Sequence, residues 1–315
     1  MAAKGNKTII YAALGANAAI AVTKFFASAV TGSSAMFAEA IHSLVDTGNQ
    51  GLLLFGLRQA KRPASPEHPF GHGKDLYFYA FMVAIIIFGA GAGFAAFEGI
   101  EKLMHPGEVQ VSWINYAVLG SAFLFELFAW GLALREFNKV RGDRAMLETV
   151  RRSKDPTLFT VLFEDTAALL GLGIAFFGVL AANLTGNPIY DALATLAIAA
   201  VLALTAVFLA IETKGLLVGE AADPKLVSEI RAVVAADPAI ERVNELLTMH
   251  FGPNEILVTV SADFRNDLTA EEVEDAVAAL DIRVKEAMPD VRRLFVQAMD
   301  RADHRRAKLA QEAGA

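Results

Sequence analysis

An α-helical polytopic membrane domain of six transmembrane helices, followed by a small α+β ferredoxin-like cytoplasmic C-terminal domain, is the fold class this sequence predicts. Three observations carry it. The 315 residues are 55% hydrophobic with a mean hydropathy of +0.42, too apolar for an ordinary globular domain. Six apolar stretches each exceed the roughly 20 helical residues that cross a hydrocarbon core. After Lys214 the pattern changes to short alternating segments and acidic helices.

The predicted spans are about 8–30, 34–58, 76–100, 111–136, 157–183 and 188–213, within a membrane domain of residues 1–214. The connectors after the second and fourth spans hold Lys61, Arg62, Lys74, Lys139, Arg141, Arg144, Arg151, Arg152 and Lys154, whereas those after the first, third and fifth hold only Lys102. The positive-inside rule then puts both termini in the cytoplasm. Thr31-Gly32-Ser33-Ser34 and Thr185-Gly186-Asn187-Pro188 are tight turns that make antiparallel hairpins of spans 1 and 2, and of 5 and 6. Met1 to Thr8 has no separate apolar region with a cleavage site, so the first stretch reads as a retained span, and the expected location is a bacterial inner membrane.

The second domain is predicted over residues 215–300. Asp223-Pro224 offers an N-cap followed by proline at N1, opening a helix to about Ala235. Ile240 to His250 reads as a strand, and Gly252-Pro253-Asn254 as a turn. Ile256, Val258, Val260, Ala262 and Phe264 alternate with polar or outward positions, the period of a strand with one wet face. Thr269 and Glu272 form a capping box for a helix lined by Val273, Val277, Leu280 and Val284, and Val291 to Val296 is the last strand. From Glu220 to Asp300 there are 17 acidic and 8 basic residues, a net −9 against −7 for the whole chain, so the acidity resides here. The tail, 301–315, is polar and expected to be disordered.

Ionisable groups at membrane depth cost about 2.5–3.5 kcal/mol each on insertion scales, so those in the spans mark function. In span 2, Glu39, His42, Asp46 and Asn49 fall at i, i+3, i+7 and i+10, one narrow stripe of a helix. His42 and Asp46, one turn apart, can converge on one ion. In span 5, Glu164 and Asp165 are adjacent and diverge by about 100°, so Asp165 is the better ligand while Glu164 completes the shell or relays protons. A desolvated acid pair is stable when it holds a cation or a proton, which suits exchange of one for the other. Lys24 and Glu126 are read as structural, paired with each other or with bundle carbonyls, and Asp191 as a helix cap, the simpler alternative to attracting cations at the mouth. The loop Glu67-His68-Pro69-Phe70-Gly71-His72-Gly73-Lys74 offers a second metal site of His68, His72 and Glu67, or else a solvated turn. There is no cysteine, which excludes disulfides, thiol nucleophiles and thiolate metal sites.

At these residues the chain resembles the cation diffusion facilitator family of divalent-metal exporters, over nearly its whole length. His42-Ser43-x-x-Asp46-x-x-Asn49 matches the family's second span, and His68-Pro69-Phe70-Gly71-His72-Gly73-Lys74 its intracellular loop. Asp165 matches the aspartate of the fifth-span His-x-x-x-Asp motif, where Val161 stands in place of the histidine. Ala38 to Gln50 and Phe163 to Gly171 are closer to the zinc-transporter-9-like branch. The resemblance implies a homodimer that exchanges cytoplasmic metal for protons by alternating access, and a dimerising C-terminal domain.

The expectation is thus a proton antiporter for divalent metal, Zn²⁺ first, with Mn²⁺, Fe²⁺ or Co²⁺ as alternative cargoes and a metal-gated channel or sensor as the rival class. The transport site is His42, Asp46, Asp165, Glu164 and Glu39, with a fourth ligand from Glu164, Glu39 or water in place of Val161. A second Zn²⁺ is expected in the loop. The partners are metal ions, protons, the lipid bilayer and a second copy, with no nucleic acid. No His-Glu-x-x-His occurs and no hydroxyl has an evident base, so enzymatic activity is not expected.

Overall fold

The computed structural model describes residues 2–31, 34–106 and 113–314, apart from the side chains of residues 2–9, 27–28, 31, 34–39, 41–42, 114–115, 311 and 314. The chain divides into two compact units, Met1–Lys61 with Asp75–Lys214, and Arg62–Lys74 with Gly215–Ala315.

The first unit is helical. Its elements are α1 (Ala2–Thr31), α2 (Ser34–Gln59), α3 (Asp75–Ile86), a π-helical segment (Ile87–Gly93), α4 (Phe94–Met104), α5 (Trp113–Arg141), α6 (Met146–Arg152), α7 (Pro156–Thr185) and α8 (Ile189–Val218). Among the described residues, four runs are long and apolar enough to cross a bilayer: Asp75–Met104, Tyr116–Arg141, Pro156–Thr185 and Ile189–Val218, with a shorter apolar run, Ile10–Phe26, in α1. This is therefore a multi-pass membrane protein with four to five apolar helices. Helix α2 differs because its polar stripe dilutes its hydropathy.

The expected third span, 76–100, is not one regular helix. Gly89, Gly91 and Gly93 sit in Ile87–Gly93, where the wider π turns occur, and such turns are frequent at functional sites. Helix α7 begins where sequence chemistry dictates: Asp155 caps Thr157 N at 3.1 Å, Pro156 occupies N1, and Gly186 ends the helix in the left-handed region at φ +64°. The short helix α6 was not foreseen.

Helix α1 packs on α2, α5 and α7, α2 on α3, and α5 on α7. Small residues allow closer approach elsewhere. A Cβ on Gly178 of α7 would lie 2.3 Å from the Ala194 Cβ of α8, and one on Gly99 of α4 would lie 2.8 Å from the Leu196 side chain. Asp191 does not cap α8. That role falls to Asn187, whose Oδ1 accepts from Ile189 N at 3.0 Å, while Asp191 pairs with Lys102 at 3.0 Å.

The second unit contains α9 (Pro224–Ala235), β1 (Ile240–Gly252), β2 (Glu255–Phe264), α10 (Ala270–Ala287), β3 (Val291–Ala298) and α11 (Arg301–Gly314). The sheet order is β1-β2-β3, with β1 and β2 antiparallel and β2 and β3 parallel. The inward residues Ile256, Val258 and Val260 alternate along β2, and Ile230, Val234, Leu280 and Val284 from α9 and α10 complete the core. Both caps read from sequence form: Asp223 accepts from Lys225 N, and Thr269 and Glu272 make a reciprocal box.

Two expectations are corrected here. The tail is helical over Arg301–Gly314 instead of disordered. Asp300 caps it, accepting from Ala302 N and Asp303 N at 2.7 and 2.9 Å, and Lys308 reaches Glu245 at 3.2 Å. The connector Arg62–Lys74, expected within the 1–214 domain, belongs with the sheet. Phe70 stacks on Phe251 with centroids 5.0 Å apart, and Arg293 donates to the Pro69 carbonyl at 2.6 Å. Gly73 lies so close to the chain that an added Cβ would meet the Phe251 carbonyl oxygen at 2.2 Å.

Candidate metal site in the helical unit

Asp46 and Asn49, the described part of the polar stripe of α2, face a space between helices, as burial of polar groups in an apolar bundle requires. A cavity of about 30 Å³ lies among α1, α2, the π segment, α5, α7 and α8. Asn17, Asp46, Asn49, Glu126, Glu164, Asp165 and Thr205 supply its polar lining, and Ile87 and Gly91 of the π segment part of its apolar wall. That volume accommodates one or two water-sized particles and no organic molecule.

The two adjacent acids of α7 are sorted by their partners. Glu164 accepts from Asn49 Nδ2 at 2.9 Å through Oε1 and from Gln50 Nε2 at 3.1 Å through Oε2. Asp165 is only 1% exposed, and its Oδ2 is buried with no hydrogen-bond partner. The Asn49 Oδ1 and Gln50 Oε1 atoms are likewise buried and unpartnered. Asp46 is half-buried at the same cavity. Asp46, Glu126, Glu164 and Asp165 are close enough to interact electrostatically, and such a group of carboxylates favours a cation.

Glu39 and His42 lie in α2, but their side chains are outside the described residues. Val161 is fully buried one turn before Asp165 and offers no donor. Among the described residues no three His, Asp or Glu side chains converge as a ready-made metal centre. In the loop, Glu67 and His68 are exposed and His72 is buried. The His68 and His72 rings approach to 4.4 Å between centroids, and among the described residues Glu67 does not join them as a third ligand. His250, in the sheet unit, is buried with Nδ1 3.1 Å from the Gly252 carbonyl.

Sequence reasoning missed the cavity roles of Asn17, Glu126 and Thr205. Glu126 was legible as an acid inside an apolar span, yet it lines the cavity, while Lys24 donates to Ser43 Oγ at 3.0 Å between α1 and α2. Trp130 Nε1 donates to Thr166 Oγ1 at 3.0 Å, fastening α5 to α7 beside the acids.

Comparison with known proteins matches the segment that holds this cavity. The cation efflux transmembrane domain matches residues 10–218, which include every polar residue of the cavity. The chain is 30% identical over 263 residues to the proton-coupled zinc antiporter SLC30A9, mitochondrial, of Homo sapiens, covering 83% of this chain and 46% of that protein. It is 28% identical over 261 residues to metal tolerance protein C4 of Arabidopsis thaliana, covering 82% of this chain and 57% of that one. With the cation-efflux pump FieF of Klebsiella pneumoniae (strain 342) it shares 28% identity over 239 residues, 76% of this chain and 75% of the pump. The chain spans about half the length of the first two of these relatives. By their names these relatives are antiporters, efflux pumps and tolerance proteins, not enzymes. The chain belongs to the cation efflux, or cation diffusion facilitator, family, in a branch like that of zinc transporter 9.

Proposed function

We propose that the protein is a secondary active transporter that exchanges a divalent metal, Zn²⁺ first among candidates, for protons. The observation that carries this reading is the cavity of about 30 Å³ lined by Asp46, Glu126, Glu164 and Asp165 between membrane helices. Acids placed there are costly unless they bind a cation or a proton, and alternation between those two states is the chemistry of an antiporter. The name of the human relative, a proton-coupled zinc antiporter, supports the choice of zinc and of protons.

His42, Asp46 and Asp165 are the proposed ligands, with Glu39 one further turn along α2 at the approach to them. Six spans, cytoplasmic termini, a ferredoxin-like C-terminal domain, a homodimer in a bacterial inner membrane and metal export from the cytoplasm by alternating access complete the reading. A second zinc at His68 and His72 would need a donor other than Glu67. Because Val161 removes an imidazole and the cavity is rich in oxygen, Mn²⁺, Fe²⁺ and Co²⁺ are the alternative cargoes.

Reconstitution into proteoliposomes with an internal pH dye tests this. Zinc-driven proton flux in the wild type and its loss in Asp165→Ala and His42→Ala are expected. Wild-type flux in both variants would remove the site from the mechanism.

A further inference from the structure

We infer that Asn49 supplies an oxygen ligand to the transported ion, in the coordination place that Val161 leaves open, and that Glu164 is a positioning residue that orients the Asn49 amide for it. The inference rests on the reading that Asp46 and Asp165 hold the metal.

Asn49 follows Asp46 by three residues on α2, on the same polar stripe, and is 1% exposed. An amide presents a donor on one edge and an acceptor on the other, and a carboxylate accepts only, so Glu164 decides which edge faces it. The Nδ2 edge donates to Glu164 Oε1 at 2.9 Å, which leaves Oδ1 on the far edge, buried and unpartnered. Asp165 Oδ2 is in the same condition, and both residues line the one cavity with Asp46.

Gln50 is an internal control. Its Oε1 is unpartnered too, and its Nε2 holds the other oxygen of Glu164, but Gln50 does not line the cavity. Asn49 lines a cavity that a cation can enter, and Gln50 does not. Each Glu164 oxygen accepts from an amide, so this acid holds two side chains of α2 in place.

Charge points the same way. Two carboxylates in the shell match a divalent ion, and an amide oxygen adds a donor without adding charge to a cavity that Glu126 and Glu164 already line. Replacing a second imidazole by an amide oxygen keeps that balance but hardens the donor set. Zinc is then favoured less strongly over Mn²⁺ and Co²⁺ than at a site with two imidazoles.

Binding of Zn²⁺ and of Mn²⁺ to the full-length protein in nanodiscs, each metal titrated alone at fixed pH, tests the assignment. Asn49→Leu should weaken zinc by at least about tenfold, and Asn49→Ser should do the same should the leucine variant not fold. Adding Val161→His to either should restore zinc binding and raise its preference over Mn²⁺ about tenfold or more. Glu164→Leu, which removes the acceptor that orients the Asn49 amide, should weaken zinc about as much as Asn49→Leu, and Glu164→Gln should recover most of that loss, since its amide oxygen can still accept from Asn49. Wild-type zinc affinity in Asn49→Leu and Asn49→Ser, or a loss in Glu164→Gln as deep as in Asp165→Ala, overturns the inference. Wild-type affinity in Asp165→Ala would instead overturn the underlying assignment of the ligands.

Discussion

In the sheet unit Asp267, Glu272 and Asp300 stand in water, and each has its oxygens taken up nearby: by the Arg265 guanidinium, by the Thr269 backbone and hydroxyl, and by the first amides of α11. Those hydrogen bonds hold all three carboxyls below the usual range. In the helical unit Asp165 is 1% exposed, away from solvent, and keeps one oxygen without a partner. The difference separates two uses of the same functional group. An exposed acid at a cap is explained by the backbone it satisfies. A buried acid with an orphaned oxygen is not explained by the backbone around it, and the proposed exchange of a cation for a proton would account for it.

The contrast is sharpened most by Asp165→Ala. Metal transport should fall to background, while resistance to thermal unfolding in detergent should stay the same or rise by up to about 1–3 kcal/mol, since the substitution removes a buried unsatisfied group. A clear loss of stability would break the comparison. Leu280→Ala, in the fully buried core of the sheet unit, should do the reverse: about 2–5 kcal/mol of that unit's stability lost, with zinc affinity of the helical site unchanged. Denaturant unfolding followed by circular dichroism reads the first quantity, and metal titration the second.

A smaller effect comes from the capping box. Thr269→Ala should cost about 1 kcal/mol. Because Glu272 has a folded value below its unfolded one, its contribution is present above the ordinary carboxyl range and is lost as pH falls through the depressed value. The difference between wild type and Thr269→Ala should therefore shrink in acid, and one that widens in acid would contradict the assignment.

Much of the fold was legible where one short stretch carries its own reason. The alternation along β2, the proline at N1 of α9, and the Thr269–Glu272 box are local, and each formed. What sequence concealed is mostly long-range. Gly73 and Phe70 gave no local sign that they pack against Phe251, some 180 residues away. The helix at 301–314 was misread from its polarity alone, although Asp300 already offered its cap.

At the site, the acids were legible because ionisable residues in apolar runs are conspicuous. Which of Glu164 and Asp165 is free was not, since that depends on two amides of a helix more than a hundred residues earlier. The place of Glu126 in the cavity was hidden for the same reason: the other groups that line it come from other helices.

Proton release on zinc binding tests the central claim most directly. Calorimetric titration of the full-length protein in buffers of different ionisation enthalpy should show protons leaving as zinc enters the wild type, and neither event in Asp165→Ala. Zinc binding with no change in bound protons, or equal proton release from the variant, would contradict the account of the cavity as an exchange site.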